Sequence, residues 1–462
     1  MDEFLHTYEM ESLALGITAR RDVVEQVRRW FGGDVDMPSS MQRTATALAA
    51  RRRHEQDEKD AKDPDASELR RLVIAGNTKE CFRQRMRNVQ LVALCAAIVK
   101  SRLVCIGAID VSHNHLGEEQ PKDADAKAIS DDDTTGDDAC RLDVGPALGR
   151  LLQPTAMYTS AIKELDLSYN RLGAESCRLL CASLSENAAS PLRRLSLSGN
   201  PLRVGGGHAI AALLASSSCR LEELQLGNTE LEVENLIAIA TALRSNRSLH
   251  TLNLDNPIVR TNEEEAIQHI GKMLQVNETL KALSLCKHQL TDHGAQVLAE
   301  RLLDNQSLQS LALRANRIGA TGASALAALL LRHDALTEFD LSANRIGDAG
   351  AEAFAKLLRH NSRPLATLAL CSAYLTDDGL SAIAEACLRP RHPETNRLRS
   401  LLLWGNDFGE RSAGLFLELH SGRFAEYDVE TDFLPIQSDA HGTAHVAHQA
   451  TRRARHLESP KR

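Results

Sequence analysis

The amino-acid sequence predicts an α/β solenoid in which short parallel strands line a concave face and helices cover a convex one. Three observations carry that prediction. An apolar frame of the form Leu-x-x-Leu-x-Leu-x-x-Asn recurs ten times, and from its second occurrence the steps are 30, 29, 28, 31, 28, 28, 29 and 33 residues. Within each unit an alternating, strand-like segment is followed by a stretch of helical period. Hydrophobic residues make up 43% of the chain but aromatics only 3%, so the core must be aliphatic. Such a period overrides the domain count that 462 residues would otherwise suggest, because stacked units grow along one dimension and escape the size limit of a single core.

The most regular unit reads Leu308-x-x-Leu311-x-Leu313-x-x-Asn316-x-Ile318-Gly319. The next begins at Leu336, has Phe339 in the second leucine position, and continues Leu341, Asn344, Ile346 and Gly347. The frame also starts at Ile106, Ile162, Leu192, Leu221, Leu249, Leu280, Leu365 and Leu398, and a degenerate copy starts at Leu69. The alternating leucines predict a strand with one buried face. The asparagine is expected to turn inward and satisfy backbone groups between units. The glycine is expected to supply a backbone conformation closed to other residues. The second half of each unit, such as residues 322–331, is rich in helix formers. Thr229, Pro257, His288 and Ala373 stand where asparagine is expected, which predicts local loosening there.

The flanks do not repeat. Residues 1–64 are expected to form a helical cap, with helices over Val23–Phe31 and Met41–Arg53. The solenoid then spans 65–425. Residues 118–138 interrupt the first clear unit with nine acids against two lysines and no aromatics, the composition of a disordered insertion. The delayed helix resumes near Asp143–Leu152. Residues 426–462 are expected to hold a C-terminal cap and a basic tail, with five Lys or Arg against one Glu from Thr451 to Arg462.

Net charge is −8 and nearly all of it sits in that acidic run. The balance argues against general nucleic-acid binding. The ten cysteines form no Cys-x-x-Cys pair and fall mostly where neighbouring units carry Ala, Ser or Leu. They read as small buried thiols in a reducing compartment. Met1-Asp2-Glu3 opens no basic or apolar leader, and no apolar run approaches the ~18 residues of a membrane span. The expectation is a soluble intracellular protein.

No pattern specifies an enzyme. Gly205-Gly206-Gly207 lacks the following Lys-Ser/Thr of a phosphate loop and reads as a repeat turn between strand and helix. Cys286, His288 and His293 are too few to hold a metal. The sequons at Asn246, Asn277 and Asn305 recur where a helix ends, which a left-handed C-cap would explain.

The concave columns are the informative surface. Acids and small polar residues (Asp110, Asp166, Ser112, Ser168) mark their N-terminal end, and Leu402 and Trp404 make the C-terminal end apolar. Trp404 reads equally as a binding anchor or as a residue packed on the cap. Arg314 and Asp340 lie in the columns nearby, while Arg171, Arg317 and Arg345 share one turn position. Those arginines are either solvated charge or the rim of a site for an acidic partner. The candidate partner-binding set is therefore Trp404, Leu402, Arg314, Arg317, Arg345 and Asp340.

Over residues 69–425 the frame resembles the ribonuclease-inhibitor class of leucine-rich repeats, shared with Ran GTPase-activating proteins and NOD-like receptors. The less regular segments are more specific. Leu252-Asn-Leu-Asp-Asn-Pro-Ile258, Asn262-Glu-Glu-Glu, Gly271-Lys-Met-Leu, Leu285-Cys-Lys-His288, Leu403-Trp-Gly-Asn406 and Asp428-Val-Glu430 are similar to the leucine-rich repeat-containing protein 34 family. The resemblance implies a horseshoe and a non-catalytic scaffold or adaptor that needs no cofactor or metal and takes protein partners on its concave face. It also implies a place in a large assembly, such as a ciliary axoneme or the ribosome-assembly machinery of the nucleolus. Regulation of a small GTPase is a further alternative. The acidic run is internal and the tail basic, whereas Ran activators usually end in an acidic tail.

Overall fold

The computed structural model describes residues 2–30, 69–78, 85–103, 105–117, 144–153, 160–258, 263–360, 364–391, 397–437 and 444–449. The expected helix at 41–53, the acidic run 118–138 and the tail 451–462 lie outside them. Two compact units are present: residues 1–209 with 216–221, and residues 210–215 with 222–462.

In the first unit α1 (Asp2–Ala14) and α2 (Arg21–Trp30) precede β1 (Arg70–Val73), α3 (Asn88–Lys100), β2 (Ile106–Asp110), α4 (Val144–Leu152), β3 (Glu164–Asp166), α5 (Ala174–Glu186) and β4 (Arg194–Ser196). The strands pair in parallel in chain order, with Leu72 beside Ile109, Ile109 beside Leu165 and Leu165 beside Leu195. The register therefore follows the second position of the apolar frame, and it includes the degenerate first copy. Helix α6 (Arg203–Ala215) follows, with Gly205, Gly206 and Gly207 inside it and not in the turn before it. A Cβ on Gly206 would lie 2.8 Å from that of Leu202, so the residue serves close packing.

The second unit repeats the pattern through β5 (Glu223–Gln225), α7 (Val233–Leu243), β6 (Thr251–Asn253), α8 (Glu263–Leu274), β7 (Ala282–Ser284), α9 (Asp292–Leu302), β8 (Ser310–Ala312), α10 (Ala320–Leu330), β9 (Glu338–Asp340), α11 (Gly347–His360), β10 (Thr367–Ala369), α12 (Asp377–Leu388) and β11 (Ser400–Leu402). It closes with α13 (Glu410–Ser421), α14 (Arg423–Glu426), β12 (Glu430–Thr431) and an antiparallel hairpin of β13 (Phe433–Gln437) and β14 (Ala444–His448). Leu224, Leu252, Leu283, Leu311, Phe339, Leu368, Leu401 and Thr431 stand in one lateral row. All of them are buried. Parallel strands need crossover helices, and each helix buries its apolar stripe on the next. The chain is thus an α/β leucine-rich-repeat solenoid.

Three sets of polar side chains bind one repeat to the next. The frame asparagines are the first set. Asn316 donates to Leu313 O in its own repeat and to Leu285 O in the preceding one, and accepts Leu290 N at 3.1 Å. Asn170, Asn200 and Asn344 repeat this arrangement. Each amide satisfies three buried backbone groups that neither strand nor helix can reach.

One of the substituted positions keeps the tie to the preceding repeat, and another keeps the bond within its own. His288 is buried and its Nε2 lies 2.9 Å from Leu254 O, the bond an asparagine would donate there. Thr229 donates to Leu226 O at 2.5 Å. A third departure, Ala373, is met from the following repeat, whose Asn406 accepts its N–H at 2.8 Å.

Helix ends carry the second and third sets. Asn246, Asn277 and Asn305 are buried and donate to Leu214 O, Leu243 O and Leu274 O of the preceding repeat. Their Oδ1 atoms accept Leu249 N, Leu280 N and Leu308 N. None of the three has a positive φ, so these sequons mark a buried ladder and not a left-handed C-cap. At the other helix end, Asp292 Oδ1 accepts Gly319 N and Gly322 N of the next repeat, and Asp377 Oδ1 accepts Gly409 N and Ser412 N. Gly319 and Gly409 are extended, with φ of −100°. A Cβ on Gly409 would lie 2.4 Å from the Asp377 carboxyl carbon. These glycines admit a carboxylate, whereas the frame glycine Gly347 does take the left-handed conformation, with a φ of 62°, as do the turn residues Ala315 and Ala343.

Burial lowers the pKa of His288 to about 4, because the charged ring would lose its hydration. An unfolded His titrates near 6.5. Between these values the unfolded chain binds the extra proton, so stability present above about pH 6.5 is lost as pH falls toward 4. Between pH 7 and pH 4 the unaltered protein should lose about 3 kcal/mol more in urea unfolding than His288→Asn does. Equal pH slopes for the two proteins would refute the buried neutral imidazole. Leu311→Ala should cost about 2–5 kcal/mol in urea unfolding at neutral pH. A cost below about 0.5 kcal/mol, typical of surface changes, would displace the frame.

Candidate partner-binding surface

The strands present alternate residues outward, and four sequence-predicted site residues emerge exposed: Arg314, Arg317, Arg345 and Trp404. Leu402 and Asp340 are half-buried. Arg314 belongs to the turn after β8 and Trp404 to the turn after β11, three repeats on. At a strand spacing of ~4.8 Å they stand ~15 Å apart, within reach of one peptide segment.

Asp340 is not a free acid on this surface. Its Oδ1 accepts Ser342 N at 2.9 Å, closing a local turn. Asp166 makes the same bond to Ser168 N. The column cysteines are inert. Burial, then the Asp255 carboxylate, pushes the Cys286 thiol up to about 12. Burial, then Asp432, pushes Cys371 up to about 12. A thiol so raised offers no thiolate for catalysis. Among the described residues all eight cysteines are unbridged, and no group of three or more His, Cys, Asp or Glu could hold a metal. Among the described residues no helix is long and apolar enough to cross a membrane.

Trp404 stands between the two roles its position suggested. Its ring lies 4.9 Å from that of His448 on β14, tilted by 53°. It also lines a cavity of about 410 Å³ with Phe408, Ala413, His445 and Val446. The side chain is nevertheless 38% exposed. Asp432 fixes this corner from below. Its carboxylate accepts Leu403 N and Trp404 N and takes a bond from the Cys371 thiol. In earlier repeats the last carbonyl of the following strand accepts the equivalent N–H, as Leu402 O does for Leu370 N. Asp432 takes the part of that strand carbonyl here. Around it Phe408, Phe416 and Phe433 close the core, with centroids 4.8–5.9 Å apart.

One exposed residue escaped the sequence reading. Tyr374 follows the alanine at the asparagine position, so it occupies the turn site held by Arg317 and Arg345 in the two preceding repeats. It is 71% exposed with a φ of 60°. Aligning the turn column, and not only the strand columns, would have found it. The turn position thus runs from cations (Arg317, Arg345) to Tyr374 and then to the exposed Asp407, while Trp404 follows its strand as Arg314 does.

The Leucine Rich repeat family is matched at residues 162–181, 304–327 and 336–355. Leucine-rich repeat-containing protein 34 of Mus musculus is 38% identical over 218 residues, which is 47% of this chain and 51% of that relative. Ribonuclease inhibitor of Sus scrofa is 30% identical over 168 residues, 31% of this chain and 36% of that relative. The chain therefore spans about half the length of the first relative and about a third of the second. A solved internalin of Listeria monocytogenes covers 79% of this chain and 86% of its own at 14% identity, with a TM-score of 0.40.

Removing the carboxylate that ends the strand row should loosen this corner. Asp432→Ala should lower unfolding free energy by about 2–3 kcal/mol, because two N–H groups lose a charged acceptor. Asp432→Asn, which keeps one acceptor oxygen, should cost less. Equal stability of Asp432→Ala and the unaltered protein in urea unfolding would remove Asp432 from this role.

Proposed function

We propose that this leucine-rich-repeat protein is a non-catalytic scaffold that docks a protein segment along the turn edge of its second compact unit, from Arg314 to Trp404. Leucine-rich repeats imply protein–protein interaction at the coarser level, and the name of the pig relative records an inhibitor of another protein. The observation that carries the finer reading is the gradient on that edge. Exposed Arg314, Arg317 and Arg345 lead into Tyr374 and Trp404. Aromatic anchors bordered by guanidinium groups match the make-up of interface hot spots and their rims. The complementary partner is a segment with an apolar anchor preceded or followed by acids. As its setting we propose a large intracellular assembly, with a ciliary axoneme first and the nucleolus second, on the strength of the sequence resemblance.

Tyr374 gives the cleaner test, since Trp404 also supports the hairpin. In cells, proximity labelling should define the neighbours of the full-length chain. Tyr374→Ala should remove the direct partner from that set and weaken its measured affinity by about 2 kcal/mol, with melting temperature unchanged. Arg317→Glu should act mainly on association rate and salt dependence, because rim charges steer encounter. If both variants keep the full neighbour set and affinity, the partner docks elsewhere. If Trp404→Ala lowers stability and leaves affinity intact, that residue belongs to the cap alone.

A further inference from the structure

The turn edge of the first compact unit holds a separate row of side chains. Asn114 and Asn170 are buried at corresponding points of two successive turns, and Met86 is buried in the turn before them, where it corresponds to Leu116. The residue after each, Arg87, His115 and Arg171, is exposed. Backbone pairing fixes the row: Arg87 bridges in parallel to His115, and Gly117 to Arg171. His115 N donates to Met86 O at 2.9 Å, and Arg171 N to Leu116 O at 2.7 Å. Asn88 holds Gly117 from the side, donating to its carbonyl at 2.7 Å and accepting its N–H at 2.8 Å. Arg87 thus stands opposite His115, and Arg171 opposite Gly117, two residues further along the chain.

Among the described residues none of the three makes an ion pair. The surroundings of His115 are electropositive. Its pKa is held below the usual value by burial first, and then by Arg171, Arg85 and Arg87. Guanidinium groups around an imidazole, carried on a hydrogen-bonded backbone, suit an oxyanion.

We propose that Arg87, His115 and Arg171 bind a phosphomonoester carried by a phosphorylated segment of a protein partner. A phosphomonoester brings nearly two negative charges and three acceptor oxygens. That is enough to engage both guanidiniums and an imidazole N–H together, whereas a carboxylate has two oxygens and one charge. A nucleic acid fits less well. Single-strand binding asks for a long basic groove and open aromatic faces. Here the adjoining column is acidic, with Asp110 and Asp166 beside His113. Tyr169 has its ring stacked on His113 at 4.4 Å and packed on Gly199, where a Cβ would come within 2.6 Å of it.

The test uses the full-length protein and a fluorescent Gly/Ser peptide with one central phosphoserine. Parallel probes are the unphosphorylated peptide, its glutamate counterpart, inorganic phosphate and a short single-stranded RNA. The phosphopeptide should bind at least roughly tenfold tighter than any other probe. Arg87→Gln and Arg171→Gln should each weaken it by roughly tenfold with unchanged melting temperature. Arg178→Gln, on α5 and paired with Glu175, should leave it unaltered. Absent binding, equal affinity for the peptide pair, RNA or phosphate bound as tightly as the phosphopeptide, or an unaffected Arg171→Gln variant would each overturn the proposal.

Discussion

The structure depends on satisfying backbone groups that lie between one repeat and the next. A three-residue strand such as β8 can pair laterally, but the chain then leaves it in a turn whose carbonyls face inward. Those carbonyls are buried, and each costs about 1–3 kcal/mol if left without a donor. Asn316 and its counterparts supply the donor, and each reaches back one repeat while doing so. The buried asparagines at helix C-termini and the carboxylates in the first turns of α9 and α12 do the same at other levels. Repeats are thus tied by three polar ladders around an aliphatic core. Leucine burial drives collapse, and the ladders decide which collapsed arrangement is unique.

This requirement explains the two ends of the strand rows, where no further strand among the described residues completes a ladder. At β1 the side chain of Gln26 on α2 accepts Val73 N at 2.9 Å and donates to Val73 O at 2.5 Å. A side-chain amide there stands in for the peptide of a missing strand, and the open edge is closed. After β11 the two-residue β12 and the Asp432 carboxylate take that part. Neither device belongs to the repeat, and each is recruited from a flanking segment.

It also explains where binding chemistry can sit. Most ladder asparagines are buried, the ladder carboxylates Asp292 and Asp377 are half-buried, and the strand leucines are core. Variation is open mainly at the column residues and at the turn residue after each ladder position. Arg171, Arg317, Arg345 and Tyr374 all occupy that turn residue. Arg171, Arg317 and Arg345 each donate the backbone N–H to the preceding repeat, so those side chains start from a bonded origin. Column acids are less available, since Asp166 and Asp340 are turned onto their own serine N–H groups.

The leucine period and its alternation determined the repeat frame, the strand register and the succession of strand and helix, down to Leu72 in the degenerate first copy. These are local periodicities, and each repeat states them anew. Arg314, Arg317, Arg345, Trp404 and Leu402 were equally legible as surface, because a frame that fixes the buried positions fixes the exposed ones. What only tertiary structure decided are the contacts whose partners lie about a full repeat away or in another segment. His288 serves as a ladder donor because Leu254 O happens to face it. Asn277 is buried structure because Leu243 O meets its amide. Gly409 is required because Asp377 comes close. The surroundings of Trp404 depend on a hairpin more than 25 residues downstream, with His448 at its ring and Asp432 at its backbone. A sequence pattern reports what each residue is and how often it recurs. Which polar atoms meet across two repeats depends on distances set only once the stack has formed.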